Sequence, residues 1–259
     1  MRSKKLYIVL IVILALFFLI IFLSFGVKNI AQENYQATIL VGNTSVWNYQ
    51  NKKWVNITRS DSLQDLNWKK YMVYQNNQRF GEYFLWKDEE WYLFDQDNNA
   101  VPFEGDLLAY DANYDLNITP FEEDQNMDQK SLNEVLVERN INLDNQFTGT
   151  THVSFDFDSD GIAEDFYIVT NAFAMDFEPE VSFSLVFMVK DEKITMLYDS
   201  VLTGNNYNIC KPYFYSFLDV NHDHTYEILL SCGRYSIDGQ IDMLYQYKDG
   251  AFKIVISNE

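Results

Sequence analysis

The sequence predicts a mainly β protein: an N-terminal transmembrane helix, a β-rich N-terminal domain, one short helix and then a two-unit repeat. Three observations predict it. Residues 6–25 are an unbroken apolar run, residues 37–121 alternate apolar and polar positions between closely spaced turn residues, and a nine-residue acidic pattern occurs twice, 63 positions apart. With 47% hydrophobic and 17% aromatic residues, the 259-residue chain has ample material for a packed core, which excludes a disordered acidic tail. Its 38 acidic against 19 basic residues give a formal charge of −19, a surface that repels phosphate, so nucleic acid is excluded as a partner.

The first element is the run Leu6 to Phe25 (LYIVLIVILALFFLIIFLSF), twenty positions without a charge. At about 1.5 Å per residue it spans the ~30 Å hydrocarbon core of a bilayer. Arg2, Lys4 and Lys5 precede it and the first acid is Glu33, so the positive-inside rule holds the N-terminus in the cytoplasm and exports the chain beyond Lys28. The competing reading is a cleaved signal peptide. Its apolar stretch is usually about 7 to 15 residues, and no small-x-small site comes after Phe25, so we expect an uncleaved anchor: tail and helix over 1–28, then a short polar stalk over 29–36. The exported part holds 15 basic and 38 acidic residues, a charge of −23, and so concentrates divalent cations. Both cysteines, Cys210 and Cys232, lie in it. An oxidising compartment permits a disulfide between them, but spacing alone leaves two free buried thiols equally open.

From 37 to about 125 we expect a β-rich domain, then a helix and linker over 126–149, and the repeat domain over 150–259. The helix, at about 130–140, is read from Ser131-Leu-Asn-Glu134, which has the spacing of a capping box, with Leu132, Val135 and Leu136 at helical intervals. An apolar, four polar, apolar motif occurs at Tyr49–Trp54, Trp86–Trp91, Val189–Ile194 and Tyr247–Phe252. Flanked by strand-like runs, each reads as a hairpin tip, because Asn, Asp and Gly tolerate the positive φ of tight turns.

The repeated acidic pattern is Asp156-Phe-Asp158-Ser-Asp160-Gly161-Ile-Ala-Glu164 and, later, Asp219-Val-Asn221-His-Asp223-His-Thr-Tyr-Glu227. Oxygen side chains at positions 1, 3 and 5 turn inward when backbone curls round a cation, and a carboxylate at position 9 closes the shell. Calcium takes six to eight such oxygens at about 2.3–2.6 Å, so the backbone carbonyls of Ile162 and Thr225 at position 7 are further candidates. The metal ligands read from the sequence are Asp156, Asp158, Asp160 and Glu164, and Asp219, Asn221, Asp223 and Glu227. The first loop is the stronger, since Gly161 supplies the turn that His224 does not, and Asn221 removes one charge from the second. The competing reading is a solvated acidic turn in each case. His152, His222 and His224 sit near the loops, but no Cys/His set has structural-zinc spacing. The segment from Asp111 to Glu122 places oxygens at EF-hand positions, yet Leu116 stands where the glycine belongs, and we read it as a polar connection.

Each loop with its adjoining strand, DFDSDGIAEDFYIV and DVNHDHTYEILL, resembles the calcium loops of FG-GAP and VCBS-type repeats, the units of integrin-like β-propellers. The resemblance covers residues 150 to 256. It implies two consecutive four-stranded, blade-like units with the eight residues named above as calcium ligands. Closed propellers need about four blades and two are visible, so we expect a separate β-rich N-terminal domain packed against a two-unit module.

For function, no G-x-S-x-G, S-x-x-K or glycine-rich phosphate loop is present, and ten glycines argue against a nucleotide fold. Expected catalytic residues are therefore none. An acid pair of the glycoside-hydrolase kind leaves no sequence signature, so a cell-envelope hydrolase is the alternative. The preferred expectation is a membrane-anchored extracytoplasmic binding module with structural calcium and a protein or polysaccharide ligand. Trp47, Trp54, Trp86, Trp91 and Tyr92 lie on hairpins; most are expected in the core, and an aromatic row left exposed on one sheet face would mark a polysaccharide platform. Sequons at Asn43, Asn56 and Asn117 are read as chance, since the Asn-, Lys-, Ile- and Tyr-rich usage looks like that of an AT-rich bacterium.

Overall fold

Strict alternation along the strands decides what each face of this protein packs against. The computed structural model describes residues 37–42, 45–57, 65–76, 78–88, 90–103, 107–114, 116–142, 147–173, 179–204, 209–233 and 240–258. The expected membrane segment and stalk lie outside them; among the described residues no helix is long and apolar enough to cross a membrane.

Eight strands form the first sheet: β1 (Ala37–Val41), β2 (Ser45–Gln50), β3 (Lys53–Asn56), β4 (Lys70–Gln75), β5 (Gln78–Lys87), β6 (Trp91–Phe94), β7 (Ala100–Val101) and β8 (Leu107–Asp111), in the order β3-β2-β1-β8-β4-β5-β6-β7. After β9 (Asn117–Thr119) and the helix α1 (Gln129–Glu138) come two antiparallel meanders. The first, β10 (Gly149–Phe155), β11 (Glu164–Thr170), β12 (Val181–Lys190) and β13 (Lys193–Thr203), is a four-stranded sheet in chain order. The second, β14 (Lys211–Asp219), β15 (Glu227–Gly233), β16 (Gln240–Lys248) and β17 (Ala251–Ser257), gains β9 beside β14 as a fifth strand.

The three sheets and the helix stack in series. Ile39 and Val41 of β1, Trp47 of β2 and Leu108 of β8 face Leu229 of β15 and Leu244 of β16, which joins the first sheet to the five-stranded one. The neighbouring positions Ile228, Leu230, Met243 and Tyr245 point the other way, onto Phe166, Ile168, Val186 and Met188 of the four-stranded sheet. That sheet's far face, Tyr167, Val169, Phe183, Leu185 and Phe187, packs under Leu132, Val135 and Leu136 of α1. β12 is buried on both faces, which is why it reads as a continuous apolar run rather than an alternating one. The outer face of the first sheet closes over Leu40, Tyr71, Val73, Leu85 and Leu93.

All four short motifs lie on hairpin tips. At three of them both turn residues have positive φ: Asn51 and Lys52 at 52° and 60°, Asp191 and Glu192 at 50° and 63°, Asp249 and Gly250 at 56° and 80°. The helix starts earlier than its expected capping box. Its N-cap is Asp128, whose carboxylate accepts from the backbone of Lys130 and Ser131, so Ser131 is an interior residue of the first turn. Asn140, at φ 55°, ends it, with Ile141 N donating to Leu136 O at 2.9 Å.

One connection is new relative to the sequence reading, and one alternative left open there is decided. β9 lies in the segment expected to belong to the N-terminal domain, yet it pairs with β14, Ile118 opposite Leu218. Of the two alternatives left open for the cysteines, the disulfide is the one formed: Cys210, just before β14, is bonded to Cys232 of β15 with their Cα atoms 5.4 Å apart.

Candidate functional site

The first acidic loop joins β10 to β11 and is organised by its own carboxylates. Asp156 accepts from the backbone N–H of Asp160 at 3.1 Å and of Gly161 at 3.0 Å, and Asp160 accepts from Ile162 N at 2.9 Å. Glu164, at the start of β11, reaches back to accept from Phe157 N at 3.1 Å, while the Phe157 ring is buried between the two meanders. Backbone with positive φ occurs at Ser159 (57°) and Gly161 (89°), the fourth and sixth positions, and the second of these is where a glycine relieves strain. One oxygen each from Asp156, Asp158 and Glu164 lies within 4.8 Å of the others. Such an all-oxygen donor set could hold a metal ion.

A residue absent from the sequence reading stands in this cluster. The Lys190 ammonium, from the end of β12, is 2.6 Å from Asp158 Oδ2, 2.7 Å from Asp160 Oδ2 and 2.7 Å from Glu164 Oε1. Register puts it there: Asp165 of β11 pairs with Val189, so Lys190 falls opposite Glu164. Burial alone would lower the lysine pKa, but the three carboxylates outweigh it and raise it above the ordinary value. Asp160, hydrogen-bonded to the ammonium, is held below the usual carboxylate range. Glu164 is raised by burial, with Lys190 pulling the other way.

The second loop, between β14 and β15, repeats most of these bonds, although Asp223 N donates to Asn221 Oδ1 at 2.9 Å where Asp160 N donates to Asp156. Glu227 accepts from Val220 N at 3.2 Å as Glu164 does from Phe157, and Asp223 accepts from Thr225 N at 2.8 Å as Asp160 does from Ile162. Asp219 accepts from the His224 backbone as Asp156 does from Gly161. His222 and His224 take positive φ, 57° and 67°, at the same fourth and sixth positions, so histidine is tolerated where the first loop has glycine. What differs is the facing strand. Ile228 pairs with Tyr245, which brings Gln246 to Glu227, its amide donating to Oε1 at 3.1 Å. Glu227 is 2% exposed, and burial among neutral donors pushes its pKa up to about 8. Asp219, 1% exposed, is also raised by burial, and its Oδ1 accepts no hydrogen bond from the described residues. The His224 ring, 4.0 Å from Asp219 Oδ2, is on the solvent side.

All eight sequence-derived ligands thus occupy two equivalent loops, but their charge is compensated in only one. The structure does not gather the histidines: His152 bridges Asp124 and Asp165 at 3.0 and 2.9 Å, stacked on Tyr167, on the side of β10 that pairs with β11. The Asp111–Glu122 connection forms a short turn, Asn113 N donating to Asp111 at 3.0 Å, and then the strand β9, so its Asn117 and Thr119 are sheet residues; Asp115 lies outside the described ones.

A second feature is an aromatic face. On β5 and β6, Phe84 pairs with Phe94 and Trp86 with Tyr92, which sets all four on one side, opposite the buried Leu85 and Leu93. Trp86 is 38% exposed, and Tyr92 and Trp68 are 47% exposed. Trp68 lies 5.6 Å from Trp86 and 5.0 Å from Phe94 between ring centroids. Its backbone is left-handed, φ 60°, pinned by its N–H to Leu85 O at 2.8 Å. Of the five aromatics singled out from sequence, Trp47 and Trp91 are core and Trp54 is half-buried against Tyr49, whereas Trp86 and Tyr92 belong to the exposed face. Sequence reasoning misses Trp68, Phe84 and Phe94, because the order of strands that assembles them depends on sheet pairing.

Comparison with protein-family models, with curated proteins and with solved structures yields no match for this chain.

Proposed function

We propose that this chain is a membrane-anchored extracytoplasmic binding module whose ligand surface is the aromatic face of β5 and β6 and whose ligand is an uncharged polysaccharide. The observation that carries this reading is the exposed group Trp68, Trp86 and Tyr92, with Trp68 held in a backbone conformation that costs free energy for a bulky residue. Flat rings stack on the apolar faces of sugars, and the rim, where Lys70 pairs with Glu82 at 2.5 Å and Asn67 accepts from Lys87 N at 2.8 Å, offers polar groups to hydroxyls. The strong negative charge of the chain disfavours acidic polymers.

In this reading the apolar segment 6–25 is the anchor, with the N-terminus in the cytoplasm, and the meanders β10–β13 and β14–β17 are two blade-like units of the FG-GAP/VCBS kind. Calcium is the structural ion of the second unit's loop. The observation behind this is that a divalent cation would compensate Asp219 and Glu227, which have neutral donors and the imidazoles of His222 and His224 for company.

The test is affinity electrophoresis of the full chain in detergent through gels containing neutral glucans or xylans. Retardation that falls about tenfold in Trp86→Ala and in Tyr92→Ala, roughly 1.4 kcal/mol each, supports the reading. Equal mobility in every neutral polymer, or retardation indifferent to both substitutions, overturns it.

A further inference from the structure

We propose that Lys190 is the resident cation of the first acidic loop, an ammonium tethered in the place of a divalent ion, so that this loop closes without metal. The proposal is independent of whether the second loop takes calcium.

An ammonium group has three N–H donors, and here it donates to Asp158 Oδ2 at 2.6 Å and Asp160 Oδ2 at 2.7 Å, with Glu164 Oε1 paired to it by charge at 2.7 Å. Charge-assisted bonds of this length are the strong class. Glu164 is fully buried, so its charge needs a partner, and Lys190 Nζ is that partner. The group is also held from behind. Its Nζ lies 5.8 Å from the centre of the buried Phe157 ring, and the tight turn at Asp191 and Glu192 begins at the next residue, which leaves the side chain at most 22% exposed.

Because the cation belongs to the chain, its effective concentration at the loop is set by the β11–β12 register rather than by the solution. A calcium ion entering this loop must break two charge-assisted hydrogen bonds and move the ammonium away from a buried glutamate. The second loop shows the contrast, since the residue facing its buried glutamate is Gln246, which brings an amide and no charge. The two loops therefore share a backbone and differ in whether the cation is built in.

The test counts calcium bound per full-length chain in detergent at saturating free calcium. Wild type and Asp158→Asn should bind the same number of ions. Lys190→Gln should bind one more, and Lys190→Gln combined with Asp158→Asn should lose that gain. An ion lost in Asp158→Asn alone, or no ion gained by a folded Lys190→Gln, overturns the proposal. Wild-type protein gives an answer that does not depend on the variants folding: acylation of Lys190, tracked by peptide mass spectrometry, should be at least tenfold slower than that of the exposed Lys248 and unchanged by millimolar calcium. A calcium-induced rise to the Lys248 rate means the ion displaces the ammonium, and the proposal fails.

Discussion

Ser45 donates its hydroxyl to Asp242 at 2.5 Å, joining β2 to β16 across 197 positions of sequence. Asp242 is fully buried and also accepts from Ser231 at 2.6 Å and Gln240 at 2.8 Å, while Asn258 donates to Ser45 at 2.8 Å. Every partner is neutral, and burial raises the Asp242 pKa above its ordinary 3.8. The folded state therefore holds a proton that the unfolded chain has released, and stability from this group falls as pH rises from about 4 through the raised value. In chelator, urea midpoints of wild type should decline over that window, and Asp242→Asn should flatten the decline by up to about 1.4 kcal/mol per pH unit. A variant with the wild-type slope would show that Asp242 does not hold the proton.

Gln246 faces Glu227 where Lys190 faces Glu164, so the built-in cation is transferable. Gln246→Lys should raise the thermal midpoint in chelator, by about 1.5–3 kcal/mol for a charged hydrogen bond, and abolish any stabilisation of wild type by calcium. Loss of stability in chelator, or an undiminished calcium response, would contradict the equivalence of the two positions.

Two tryptophans on the first sheet should behave oppositely. Trp47 is fully buried between the first and five-stranded sheets, and Trp47→Ala should cost about 3–5 kcal/mol in chemical denaturation. Trp86→Ala removes a side chain that is 38% exposed and should cost roughly 1 kcal/mol or less, its effect appearing instead in ligand retention. Comparable losses of stability would mean that the aromatic face is structural.

The helix offers a small-scale check. Asp128→Ala removes the N-cap and should destabilise by about 1 kcal/mol, whereas Glu134→Ala should be near neutral, because no capping box forms at Ser131. The reverse ranking in urea titrations would restore the box.

The part of the fold legible in the amino-acid order is local. Asn51-Lys52, Asp191-Glu192 and Asp249-Gly250 mark their hairpins, and the acidic spacing marks two loops that share even their positive-φ positions. The helix is visible but displaced at its start, since Asp128 and Ser131 are both good caps and only packing chooses between them. Partners fixed by register are not visible. Lys190 and Lys248 occupy the same place in their turn motifs, yet the pairing of Ile228 with Tyr245 brings Gln246, two residues earlier, to Glu227. Likewise nothing local in Asn117-Ile118-Thr119 says that this strand joins β14 rather than its own neighbours.

The stacking of the first sheet on the five-stranded one has a consequence for synthesis. Ile39, Val41 and Trp47 are made early, but Leu229 and Leu244, which cover them, come roughly 200 residues later. At about 5–20 residues per second, that leaves an interval of roughly 10–40 s in which the nascent chain displays an uncovered apolar sheet face. A chain that ends before β15 would keep that face uncovered and be prone to aggregate, however stable the finished molecule is.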